Sequence, residues 1–235
     1  MRIVLSCAAI ACSGTLAMGG VITTDFSGFS NGADVEGTTF NAGTLAEFLA
    51  TSSGDNQGLR IFDTTPGGPN SGGPDPDLLV PGFGNALILQ DNTGVIPNDS
   101  DEGGVISFDF TSAVELVSID LIDFNGSSAS VFTLTDSEGD TRSFFVPNDW
   151  TGEPGAGGAD GFGTLMFDQN NQAGFMGNIA TFVDSGAFDL DGVVSADFDL
   201  GGSAALDNLV VVIPAPGGAA LLLTGGALAG TRRRR

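Results

Sequence analysis

Apolar and polar residues alternate most regularly in the middle of the chain. Val105-Ile-Ser-Phe-Asp-Phe110, Val114-Glu-Leu-Val-Ser-Ile-Asp-Leu-Ile-Asp123 and Val131-Phe-Thr-Leu-Thr135 repeat with a period near two. That is the period of a strand with one face buried and one in water. The same pattern, shorter, predicts strands at Val21 to Phe26, Leu59 to Asp63, Asn85 to Gln90, Arg142 to Val146, Thr164 to Phe167, Asn178 to Val183, Val193 to Leu200 and Ala204 to Val212. Thr44 to Thr51 fits a short helix or a strand equally well. Turn chemistry punctuates the list: Asp136-Ser-Glu-Gly-Asp140 reads as the tight turn of a hairpin. Thr64 to Gly84 and Asp91 to Gly104 are long Gly/Pro/Asn/Asp stretches. A loop of about twenty residues inside a compact domain is expected to be functional or tied down. Short strands with no βαβ alternation predict an all-β fold, a two-sheet antiparallel β-sandwich.

The two ends break this pattern. Met1-Arg2, an apolar Ile3 to Leu16 and the small residues Ala17-Met18-Gly19 have the layout of a signal peptide, so residues 1–19 are expected to form a signal helix that signal peptidase removes. A lipobox reading of Ala9-Ile10-Ala11-Cys12 is the alternative. At the other end Pro214-Ala215-Pro216 stops the last strand, Gly217 to Gly230 is uncharged, and Arg232, Arg233, Arg234 and Arg235 follow. The uncharged run is shorter than the roughly 20 residues that span a bilayer, and a terminal arginine cluster stays on the cytoplasmic side. A short hydrophobic helix, anchoring the chain transiently, is expected within 213–235. This order of segments resembles the PEP-CTERM sorting signal of bacterial surface and exopolysaccharide-associated proteins. The family's Pro-Glu-Pro stands here as Pro214-Ala215-Pro216. The resemblance implies export to the cell envelope, surface or extracellular matrix and processing by an exosortase, a membrane protease.

Composition changes the picture once the ends are set aside. The basic residues left in 20–212 are Arg60 and Arg142, against 29 acidic residues in the chain, with no histidine or lysine. Such a body repels phosphate and excludes nucleic acid as a partner. Cys7 and Cys12 fall in the signal segment, so the body has no disulfide, thiol nucleophile or thiolate metal site. Eighteen phenylalanines supply the aromatic area of a core, which argues against disorder.

The body, roughly Asp25 to Val212, also resembles jelly-roll, carbohydrate-binding-module-like ectodomains. The patches are Asp25-Phe26-Ser-Gly-Phe29, Ile61-Phe62-Asp63-Thr-Thr-Pro-Gly-Gly68, Gly104-Val-Ile-Ser-Phe-Asp-Phe110 and Ala205-Leu206-Asp207-Asn208-Leu209. Relatives of that kind that hold calcium do so between the first and last strands, which by resemblance points to Asp25, Asp34, Glu36 and Asp207. Calcium takes six to eight oxygens, which Asp/Asn/Gly loops can supply. Asp75-Pro-Asp77 and Asp99-Ser-Asp101-Glu102 are further calcium candidates on composition alone.

Without histidine or a thiol, a Ser-His-Asp or Cys-His arrangement cannot be built. Two carboxylates could still hydrolyse a glycosidic bond, so a carboxylate-based glycoside hydrolase is one alternative. A carbohydrate-binding module, calcium-assisted and contacting exopolysaccharide, is another; for it Trp150, in the polar stretch Pro147-Asn-Asp-Trp-Thr-Gly152, is the ligand-binding candidate. Arg60 and Arg142 read as local salt-bridge partners. The reading that follows is a non-catalytic structural or adhesive protein displayed outside the cytoplasm.

Overall fold

In the computed structural model, residues 20–91, 96–124, 129–151 and 161–214 are described. The signal segment and Ala215 onward lie outside these residues. Among the described residues the fold is all-β: thirteen antiparallel strands and two single-turn 3₁₀ segments. The strands are β1 (Val21–Thr24), β2 (Thr38–Phe40), β3 (Phe48–Ser53), β4 (Leu59–Asp63), β5 (Asn85–Leu89), β6 (Gly104–Ile122), β7 (Ser130–Asp136), β8 (Thr141–Val146), β9 (Phe162–Met166), β10 (Gln172–Ala173), β11 (Ile179–Ser185), β12 (Val193–Leu200) and β13 (Ala205–Val212).

The long strand β6 organises the pairing. Its first half, Gly104 to Phe110, lies between β12 and β3, and its second half, Glu115 to Ile122, lies between β13 and β9. The change of partners happens at Thr111-Ser-Ala113. There the register with β12 jumps from Ser195↔Asp109 to Val193↔Val114, a bulge that re-aims the strand. Two separate strands were expected here. No Gly or Pro interrupts the segment, so the backbone runs through and bends instead of turning.

Alternation then sorts side chains by face. Phe40, Phe48, Phe108, Phe198, Phe132 and Phe124 form one chain of ring contacts across β2, β3, β6, β12 and β7, with centroids 4.7 to 5.7 Å apart. Each such pair contributes about 0.5–1.5 kcal/mol beyond its buried area. A second, smaller core of Phe62, Leu78, Val80, Ala86, Ile88, Ile122 and Ala205 sits on the other face of β4, β5, β13 and β6. The long Thr64 to Gly84 loop supplies Leu78 and Val80 to it. Asn31 and Asn70 tie that loop down with reciprocal amide bonds of 2.9 and 2.8 Å.

The turn expected at Asp136 to Asp140 closes the β7–β8 hairpin. The Asp136 carboxylate accepts hydrogen bonds from the backbone N–H groups of Glu138, Asp140 and Asp189 at 3.0, 2.9 and 2.9 Å. The ambiguous Thr44 to Thr51 becomes strand only from Phe48. Among the described residues no helix is long and apolar enough to cross a membrane.

Candidate functional site

Three of the four residues expected to bind calcium are occupied by protein donors. Asp25, just past β1, accepts the Ser27 N–H at 3.1 Å and the Ser27 hydroxyl at 2.8 Å, both on Oδ1. These bonds hold its carboxyl below the ordinary aspartate range. Asp34 accepts the Glu36 N–H at 3.1 Å, and its backbone pairs with that of Arg60 in an isolated antiparallel β-bridge. Glu36 clasps two strands, accepting from the Ser52 N–H and hydroxyl at 3.0 and 2.7 Å and from the Leu59 N–H at 3.1 Å. Among the described residues no group of three or more acidic side chains is gathered to hold a metal ion.

Asp207 is the exception in its environment. It is 0% exposed, and among the described residues neither carboxylate oxygen has a hydrogen-bond partner of good geometry; the adjacent Asn208 N–H favours its charge less than burial opposes it. The backbone explains why. On one side β13 pairs with β6, Asp207 opposite Asp120. On the other side, β5 pairs with Ala205 and Leu206 and β1 takes over at Leu209, so Asp207 and Asn208 fall at the junction between two partners. The register with β6 slips at the same place, with Asn208 at φ 47°, a left-handed conformation that asparagine tolerates. Asn208 Nδ2 and the Thr164 hydroxyl both donate to Asp120, at 2.8 and 2.5 Å, and neither serves Asp207. Burial, helped by the negative charges of Asp120 and Asp25, pushes the Asp207 carboxyl up to about 8. At neutral pH it is mostly the neutral acid.

A second sealed group joins the two acidic loops. Asp99 is 2% exposed; its N–H donates to Asp75 Oδ2 at 2.9 Å, and its Oδ2 accepts the Ser203 hydroxyl at 2.5 Å. Ser203 also reaches Asp123 at 3.2 Å. Burial, with Asp75 beside it, raises the Asp99 carboxyl well above the usual range, and the same causes raise Asp77 to about 6. Asp75, Asp77 and Asp99 were legible as candidates from composition. Asp120, Asp123 and Ser203 were not, because only the register brings them in.

The Trp150 ring is 3% exposed, and its Nε1–H donates to the Gln172 carbonyl at 3.2 Å. Gly163 and Gly174 lie against it: a Cβ on Gly174 would stand 2.3 Å from the Trp150 carbonyl oxygen. The ring closes the edge of the core and offers no open face for stacking. Arg142 is the salt-bridge partner expected, bidentate to Asp184 at 2.7 and 2.8 Å, with its guanidinium 3.9 Å from the centre of the Phe182 ring.

A cavity of about 210 Å³ opens beside Asp25, lined by Thr23, Thr39, Asn41, Phe26, Phe29 and Phe40, among others. Its aromatic walls were not singled out in the sequence, where these phenylalanines look like core. In the sorting motif, Pro214 is described, while Ala215, Pro216 and Arg232 to Arg235 lie outside the described residues. No protein-family model matches the chain, and no curated protein matches it either.

Proposed function

We propose that this chain is an exported, non-catalytic component of a bacterial cell surface or extracellular matrix. In this reading a two-sheet, jelly-roll-like β-sandwich is carried between a signal peptide and a PEP-CTERM-like segment that an exosortase processes. The exchange of partners halfway along β6 supports the two-sheet part, since a strand that bends at a bulge is how one chain passes between packed sheets.

One observation carries the non-catalytic part: the carboxylates most perturbed by their surroundings are sealed inside. Asp99 and Asp207 are buried against other protein groups and are not among the residues that line the cavity Asp25 borders. Glycoside hydrolysis needs two carboxylates facing across an open cleft, about 5–10 Å apart. The cavity has one. A body with no lysine or histidine, a Phe-rich core and no cysteine outside residues 1–19 suits a scaffold that persists outside the cytoplasm.

The test is made in a bacterial host that encodes an exosortase-like protease. Cell fractionation and mass spectrometry of the purified protein should find new termini near Gly19 or Gly20 and near Pro214, with the body in the envelope or medium. Cytosolic protein retaining Met1 and Arg235 would refute the reading.

A further inference from the structure

We propose that the cavity beside Asp25 binds a small organic cation, an ammonium group carrying short alkyl arms. Its size sets the scale. Sites for drug-sized ligands occupy about 300–1,000 Å³, so about 210 Å³ admits a head group and not an oligosaccharide. Its walls set the chemistry. Phe26 meets Phe40 edge-on at 5.4 Å and Phe29 leans on Phe40 at 5.3 Å. Phe26 and Phe40 are buried, and Phe29 is half-buried in the lining.

Asp25 is the one formally charged residue in the lining. Its two hydrogen bonds, both from Ser27, fall on Oδ1. Oδ2 accepts neither and can turn to a ligand. A carboxylate beside a phenylalanine-lined hollow favours a cation whose arms are hydrocarbon. Calcium matches poorly, because it needs six to eight oxygens and Asp25 is the one carboxylate among the described lining residues. The field of a chain with a net charge of −22 raises the local concentration of any cation. A neutral sugar, which could bond to Thr39 and Asn41, is the rival occupant.

The purified protein is titrated at constant ionic strength with choline and with tetramethylammonium, following the NMR signals of Thr23 to Phe29. In parallel it is titrated with 3,3-dimethylbutan-1-ol, which has choline's shape without its charge, and with glucose. Saturable shifts centred on these residues are expected for the two cations, with the neutral analogue at least tenfold weaker. Asp25→Asn keeps an acceptor for Ser27 and removes only the charge; it should weaken choline about tenfold and leave the melting temperature unchanged. Phe29→Leu, which keeps apolar bulk, should weaken it as well. Equal binding of the neutral analogue, preference for glucose, an unaffected Asp25→Asn, or no saturable shift with either cation overturns the proposal.

Discussion

The most informative single substitution is Asp207→Asn. With a folded pKa of about 8 against an ordinary value of 3.8, the folded state holds a proton that the unfolded chain releases at neutral pH. The folded state therefore binds more protons, and stability falls as pH rises from about 4 to about 8. At 1.36 kcal/mol per pH unit, the cost accumulated by pH 7 is about 4 kcal/mol. Asparagine has nearly the same shape and no charge, and its amide can donate to the Asp120 carboxylate across the strand pair. At pH 7 the variant should be more stable by up to about 4 kcal/mol, a rise in melting temperature of roughly 10 °C for a domain of this size. At pH 4 to 5 the wild type regains most of the difference. Thermal melts between pH 4 and 9, with a chelator present, measure it. A variant that melts no higher than the wild type at pH 7 refutes the reasoning. A calcium-induced rise in the wild-type melt that Asp207→Asn abolishes would do so differently, by making this carboxylate a ligand instead of an acid.

Three other outcomes are expected. Asp136→Ala removes the acceptor of three backbone N–H groups at the β7–β8 turn. Those bonds hold the carboxyl below its usual range, so the stability they give is present above the ordinary aspartate pKa and lost as pH falls through the folded one. The variant should melt lower at pH 7, and the gap should narrow in melts near pH 3. Gly174→Ala drives a Cβ to within 2.4 Å of Trp150 Cδ1 and should cost about 1–3 kcal/mol in urea unfolding, through overpacking against a rigid ring. The single tryptophan should show blue-shifted fluorescence resistant to iodide, and Trp150→Ala should lose about 3–5 kcal/mol by urea unfolding. Red-shifted, quenchable emission would put the ring back on the surface.

Much of the strand order was legible because alternation reports which face of a strand is buried, and Val131 to Thr135 or Val193 to Leu200 need no tertiary information to declare it. What alternation cannot report is partnership. Nothing local says that Val105 to Phe110 and Val114 to Ile122 are one strand with two sets of neighbours, since the bend at Thr111-Ser-Ala113 is fixed by what lies on either side. The short strands β2 and β10 escaped for a related reason: three residues and two residues carry too little pattern, and their pairing partners make them strands. Trp150 shows the limit for sites. Its neighbours in sequence are polar, while the atoms that enclose it come from Gly163 and Gly174, distant in the chain.

Asp25 and Asp207 make the same point about chemistry. Both follow an apolar run, and by resemblance both were assigned one role, as ligands to one ion. The fold gives them different surroundings. Asp25 lies past the end of its strand, keeps its exposure and receives two donors, so its charge is stabilised and available to a ligand. Asp207 stands where β5 ends and β1 begins as neighbours of β13, is buried with the Asn208 N–H too weak a donor to offset that burial, and faces the charges of Asp120 and Asp25. One carboxyl group is thus kept ionised by hydrogen bonds, and the other is kept neutral by burial and neighbouring negative charge. Replacing Asp25 by asparagine should therefore change mainly what the surface binds, whereas replacing Asp207, which is already neutral in the folded state, should change mainly the stability at pH 7. The two effects exchange only if the register at Asn208 differs from the one described here.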